Sequence, residues 1–151
     1  MTATPLPPRG RIVIADDDAD DQALALEALA SHGWRAPVTQ VYDGEQLLQL
    51  LRQPALAAAR SPLLVLLDLN MPRKNGFETL KAMRQDRALE GVPVVVFSTS
   101  SAPDDVARSY RLGCNSYVPK PASIQAMHAL MGDLLRYWFE TSELPRGHAP
   151  A

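Results

Sequence analysis

The residues of this 151-residue chain that could do chemistry stand directly after apolar runs. Ile12–Asp21 reads IVIADDDADD, four apolar residues followed by a run of acids. LLVLL ends at Asp68, PVVVF ends at Ser98, and Tyr117–Val118 shortly precedes Lys120 and Pro121. If Asp16, Asp17 and Asp68 share one place, each pair repels by up to about 4 kcal/mol at 4 Å in a protein-surface dielectric. Burial would raise this cost and push their carboxyls toward protonation. A small hard cation relieves it, and a few carboxylates with water is how magnesium is usually held. Lys120 adds a fixed positive charge and Ser98 a hydroxyl. Together these are the parts that stabilise charge on a transferring phosphoryl group. The acids that follow, Asp18, Asp20 and Asp21, are read instead as a helix cap and its first turn, favoured by the macrodipole.

The elements that must position these residues follow from pattern. Arg11–Ala15 and Val38–Val41 are expected strands, and Leu63–Leu67 and Pro93–Phe97 are unbroken apolar strands of the kind covered on both faces. Tyr117–Val118 is a brief fifth strand. Helices are expected over Asp18–His32, Gly44–Gln53, Phe77–Gln85, Pro103–Leu112 and Ser123–Glu140. The last carries Ile124, Met127, Met131, Leu134 and Trp138 on one stripe. Pro54–Pro62 reads as an extended connection between prolines. Five alternations of strand and helix predict an α/β domain with a central parallel sheet, and ligands bind such sheets outside the carboxyl ends of the strands.

We expect a flexible arm over residues 1–10, one domain over 11–140 and a tail over 141–151. The net charge of -2 gives no field to attract nucleic acid or an anionic membrane. No apolar run approaches the roughly 18 residues of a membrane span, and MTATPLPPRGR lacks the apolar segment of a signal peptide. The chain is therefore expected in the cytoplasm, and its single cysteine, Cys114, reads as a small buried apolar residue.

The pieces IVIADD, LLVLLDLNMPRKNGFE, PVVVFSTSS and LGCNSYVPKP, in that order across Arg11–Glu140, resemble the receiver domains of two-component response regulators, of the chemotaxis-receiver type. The resemblance implies a doubly wound, flavodoxin-like fold with strand order 2-1-3-4-5. It implies that Asp68 takes a phosphoryl group from a phosphohistidine of a sensor histidine kinase. Asp16, Asp17, Asp68 and the carbonyl of Asn70 would hold Mg2+. Lys120 would pair with the phosphate, Ser98 would hydrogen-bond it, and Tyr117 would turn inward as Ser98 moves. The Lys120–Pro121 bond would be cis.

The Pro54–Pro62 stretch and the ending YWFETSELP are similar to the single-domain regulators that pair with bacterial and cyanobacterial phytochromes. The chain ends soon after the last helix, so output is expected through contact with a downstream protein or through a relay. A homodimer is expected through the Pro103–Leu112 helix, the Tyr117 strand and the C-terminal helix. Two other functions compete. A phosphohydrolase with Asp68 as nucleophile would need an acid two residues on, where Asn70 stands and cannot donate the proton. A scaffold that has lost phosphorylation would lack part of the site, and no part is missing.

Overall fold

In the computed structural model, which describes residues 10–148, strands and helices alternate along the chain. β1 (Arg11–Ala15) leads through α1 (Ala19–Ser31) to β2 (Val38–Val41), then α2 (Gly44–Leu51) and α3 (Pro54–Ala58). β3 (Leu63–Leu67), α4 (Gly76–Gln85), β4 (Val94–Ser98), α5 (Pro103–Arg111), β5 (Ser116–Pro119) and α6 (Ile124–Arg136) follow. A π-helical turn, Tyr137–Thr141, extends α6. The arm expected over residues 1–10 lies outside the described residues except for Gly10.

All strand pairs are parallel and the order is β2-β1-β3-β4-β5, as the resemblance implied. Side chains of successive strand residues point to opposite faces, so each apolar strand feeds two cores. Ile12, Ile14, Leu64, Leu66, Val95 and Phe97 pack under α1 and α6, against Ala25, Leu29, Met127 and Met131. Val13, Ala15, Val65, Leu67, Val94 and Val96 pack on the other side, against Leu47, Leu51, Leu80 and Met83 of α2 and α4. Every residue of β3 and β4 is buried, which is why those runs carry no polar alternation. Cys114 is buried in the second of these cores.

Three expectations are corrected. Pro54–Pro62 is not extended throughout, because Pro54 opens the short helix α3. Proline suits the first helical position, where its missing N–H costs nothing. Arg11 then ties the segment down: its guanidinium donates to the carbonyls of Leu56 (2.8 Å) and Ser61 (2.7 Å). The last helix is not regular to Glu140. It widens at Tyr137, which turns Phe139 onto Trp34 with ring centroids 4.8 Å apart and leaves Tyr137 54% exposed. Ile124 does not belong to the buried stripe; it follows the cap Ser123 at the helix end and is 60% exposed.

The C-terminal segment returns to the start of the sheet. Arg146 bridges to Pro62, and His148 donates its N–H to the Ala57 carbonyl at 3.0 Å. At the opposite edge β5 has no further strand beside it among the described residues, and there the Tyr110 hydroxyl accepts the Tyr117 N–H at 3.2 Å.

Candidate functional site

The sheet register assembles the site. Ala15 lies opposite Leu67 in the β1–β3 pair, so Asp16 and Asp68 leave neighbouring strands at the same level. The Asp68 N–H donates to the Ala15 carbonyl (2.9 Å) and the Asp16 N–H to that of Val41 (3.0 Å). On the other side Ser98 lies opposite Pro119, and the Lys120 N–H donates to the Ser98 carbonyl at 2.7 Å. Four strand ends thus deliver an acid, an acid, a hydroxyl and an ammonium to one rim.

Asp16 and Asp68 are buried while Asp17 is exposed, and carboxylate oxygens of the three lie within 4.8 Å of one another. The Lys120 ammonium reaches into this cluster. It donates to Asp16 Oδ2 at 2.6 Å and to Asp21 Oδ2 at 2.9 Å, and stands 3.7 Å from Asp68 Oδ2. Its side chain is only 5% exposed and its Nζ lies 5.8 Å from the centroid of the Phe97 ring, within cation–π range.

Burial pushes the Asp68 carboxyl up to about 6, against the pull of Lys120, with Asp16 adding to the rise and backbone N–H groups of Asn70 and Leu69 opposing it. Burial would lower the Lys120 ammonium, but the hydrogen bonds to Asp16 and Asp21 and the charge of Asp68 outweigh it and the net shift is upward. The site therefore carries more negative charge than one lysine can balance. Crowded hard oxygen donors of this kind, with one carboxyl driven toward protonation, fit a divalent cation such as magnesium.

The turns around the cluster are built for close approach. Asp18 caps α1, its side chain accepting the N–H groups of Asp20 and Asp21, as the acid run predicted. Gln22, buried, donates to the carbonyls of Asp16 (2.9 Å) and Val41 (2.8 Å) and so braces the ends of β1 and β2. Asn75 and Glu78 close a reciprocal capping box at the start of α4. Gly76 follows, and a Cβ there would collide with the Asp68 carbonyl oxygen. Only glycine lets α4 begin so close to the turn after Asp68.

Ser98 is fully buried, and its Oγ accepts the Ser100 N–H at 3.3 Å. Tyr117 is half-buried against the core, and its hydroxyl donates to the Ser100 carbonyl at 2.7 Å. The two are joined through Ser100 rather than by direct contact. Asn70 is exposed just past Asp68. The cis Lys120–Pro121 bond is corrected: no peptide bond among the described residues is cis. Trans is favoured by about 0.5–1 kcal/mol before proline, and with it Lys120 already meets Asp16 and Asp21. Asp21 and Gln22 are the residues that sequence reasoning missed. Asp21 stands at the third helical position after the cap Asp18.

Comparison with known proteins bears on this geometry. Residues 12–131 match the response regulator receiver domain. The response regulator Rcp1 of Synechocystis is 33% identical over 140 residues, covering 92% of this chain and 95% of that protein. The crystal structure of the phosphorylated cyanobacterial phytochrome response regulator RcpA superposes with a TM-score of 0.81 at 36% identity, covering 90% of this chain and 98% of the other. The Mn2+-bound form of Rcp1 superposes with a TM-score of 0.77 at 32% identity, covering 90% and 99%. With its sheet order, its acid cluster and a match over most of its length, the chain belongs to the response regulator receiver domain family.

Proposed function

We propose that Asp68 is the phosphoacceptor of a signalling module loaded by a sensor histidine kinase of the phytochrome type. The observation that carries this reading is the meeting of the Asp16, Asp17 and Asp68 carboxylates with the Lys120 ammonium 3.7 Å from Asp68. An Asp68 carboxylate oxygen attacks the phosphorus of a phosphohistidine. The new O–P bond forms as the P–N bond breaks, and the imidazole nitrogen leaves with the electron pair. Asp16, Asp17, Asp68 and the Asn70 carbonyl are the residues that would hold magnesium, which when bound neutralises charge on the phosphoryl oxygens. Lys120 and Ser98 bind those oxygens from the β5 and β4 sides.

Phosphorylation places about -1.5 to -2 charges where one carboxylate stood. Drawing Ser98 toward that charge withdraws its Oγ from the Ser100 N–H, and Ser100 is the residue whose carbonyl holds Tyr117. The group's charge is thereby coupled to the packing of Tyr117 and to the face of α5, β5 and α6. This is a bias between two packings of one fold. Output then passes to a downstream protein through that face, and the same face pairs two copies of the chain. The phytochrome pairing is supported by the likeness to Rcp1 and RcpA over nearly the whole chain.

The test is phosphotransfer from an autophosphorylated phytochrome kinase to the wild-type chain and to Asp68→Asn. We expect acid-labile label on the wild type and none on the variant. Equal labelling of both would refute the assignment of Asp68. Labelling by unrelated kinases in preference to phytochromes would refute the pairing.

A further inference from the structure

We propose that Asp21 is a positioning residue for the phosphoryl site: its carboxylate holds the Lys120 ammonium back from Asp68, so that an incoming phosphoryl group must win the lysine from it. The inference rests on the reading of Asp68 as phosphoacceptor. An ammonium has three protons. Two are taken by Asp16 at 2.6 Å and Asp21 at 2.9 Å, whereas Asp68 Oδ2, at 3.7 Å, lies beyond hydrogen-bond distance. The charge of Lys120 is thus committed to the α1 side of the rim, not to the residue that takes the phosphate.

Of the two holders, Asp16 is buried and belongs to the carboxylate cluster, while Asp21 lies outside that cluster. Asp21 sits on the first turn of α1 with its side chain 30% exposed, so water can replace Lys120 as its partner. Its place is fixed by the helix cap, because the Asp18 side chain accepts the Asp21 N–H at 3.1 Å. The bond to Asp21 is therefore the one that yields when a stronger acceptor arrives. Until then it opposes the phosphoryl state, both by holding the ammonium and by adding a fourth carboxylate beside the new charge. Removing it should stabilise the loaded form.

The experiment compares wild type with Asp21→Ala, Asp21→Asn and Asp20→Ala. Asp20 is exposed on the same turn and its loss removes the same charge without touching Lys120. Beryllofluoride, added with magnesium, serves as the phosphoryl probe. Asp21→Ala should bind it about fivefold more tightly than wild type and keep its phosphoryl group about fivefold longer. Asp21→Asn should fall between, and Asp20→Ala should stay within about twofold of wild type. In metal-free protein the Lys120 ammonium protons, followed by 15N NMR, should exchange with water faster in Asp21→Ala than in wild type or Asp20→Ala.

Equal gains in Asp21→Ala and Asp20→Ala would reduce the effect to general charge and overturn the proposal. Weaker binding in Asp21→Ala would overturn it as well. A wild type that takes no beryllofluoride would count against the phosphoacceptor reading, and the ammonium exchange would then decide alone whether Asp21 holds Lys120.

Discussion

The burial of the Asp68 carboxyl costs the fold free energy once that group is ionised. Its carboxyl is raised to about 6, with burial the main cause, while the same group in the unfolded chain titrates near its ordinary value of 3.8. Between those values the folded state binds more protons than the unfolded one, so stability falls as pH rises through that window. The loss is absent below about pH 4 and complete above about pH 6. Asp68→Asn escapes it. Without added metal, the variant should match wild type near pH 4 and exceed it by about 1–2 kcal/mol at pH 7, a figure reduced for solvent screening. Urea denaturation at the two pH values checks this, and a constant difference would contradict it.

The main cluster was legible at this scale because three acids, a lysine and a serine each end an apolar run. Asp21 was not, because an acid in the first helical turn has a sufficient local reason to be there. Only the path of Lys120 across the sheet gives it a second role.

At the scale of elements, the strands were legible because burial on both faces leaves unbroken apolar runs, as in Leu63–Leu67 and Val94–Ser98. Helix starts were legible at Asp18 and Ser123, where a cap marks them, whereas α4 was expected from Phe77 and begins one residue earlier, at Gly76 behind the cap Asn75. What escaped depends on contacts remote in sequence. The turn of α3 is held by Arg11, more than forty residues earlier, whose guanidinium is drawn below its usual value by burial. The π-helical turn at Tyr137 seats Phe139 against Trp34 and over Gly10, where a Cβ would collide with its ring. No local pattern encodes either.

Arg11→Ala should therefore loosen one segment and spare the site. Amide hydrogen exchange over residues 54–62 should quicken by about tenfold or more, in line with losing charge-assisted bonds of about 1.5–3 kcal/mol each. Exchange at Asp68 and Leu69 should hold near wild type. Uniform acceleration across the sheet would show that Arg11 supports the whole fold rather than this connection.

At the scale of the whole molecule, the rim that carries the carboxylates and Lys120 and the closing contacts of the chain sit at opposite ends of the sheet. Asp16, Asp68 and Lys120 follow the carboxyl ends of their strands and Ser98 is the last residue of its own, while Pro62, Arg146 and His148 meet at the other end. The proposed pairing face lies along the side, where Tyr110 and Tyr137 are 50% and 54% exposed. Of the terminal aromatics, Trp138 and Phe139 pack inward and leave Tyr137 to face outward. Sedimentation should show a dimer that is strengthened by magnesium and beryllofluoride, and Tyr137→Ala should weaken it about tenfold, as truncating an interface aromatic does. A monomer under all conditions would exclude pairing through this face.

The hydroxyl of Tyr110 narrows how that pairing can occur. An outer strand with a free amide invites another polypeptide to extend the ladder, the route that leads from dimers to fibres. Here the Tyr117 amide is already spoken for from within the same molecule. Copies that meet on this flank must therefore recognise one another by side-chain shape, and such a contact can be made and undone with each signal without seeding an endless sheet.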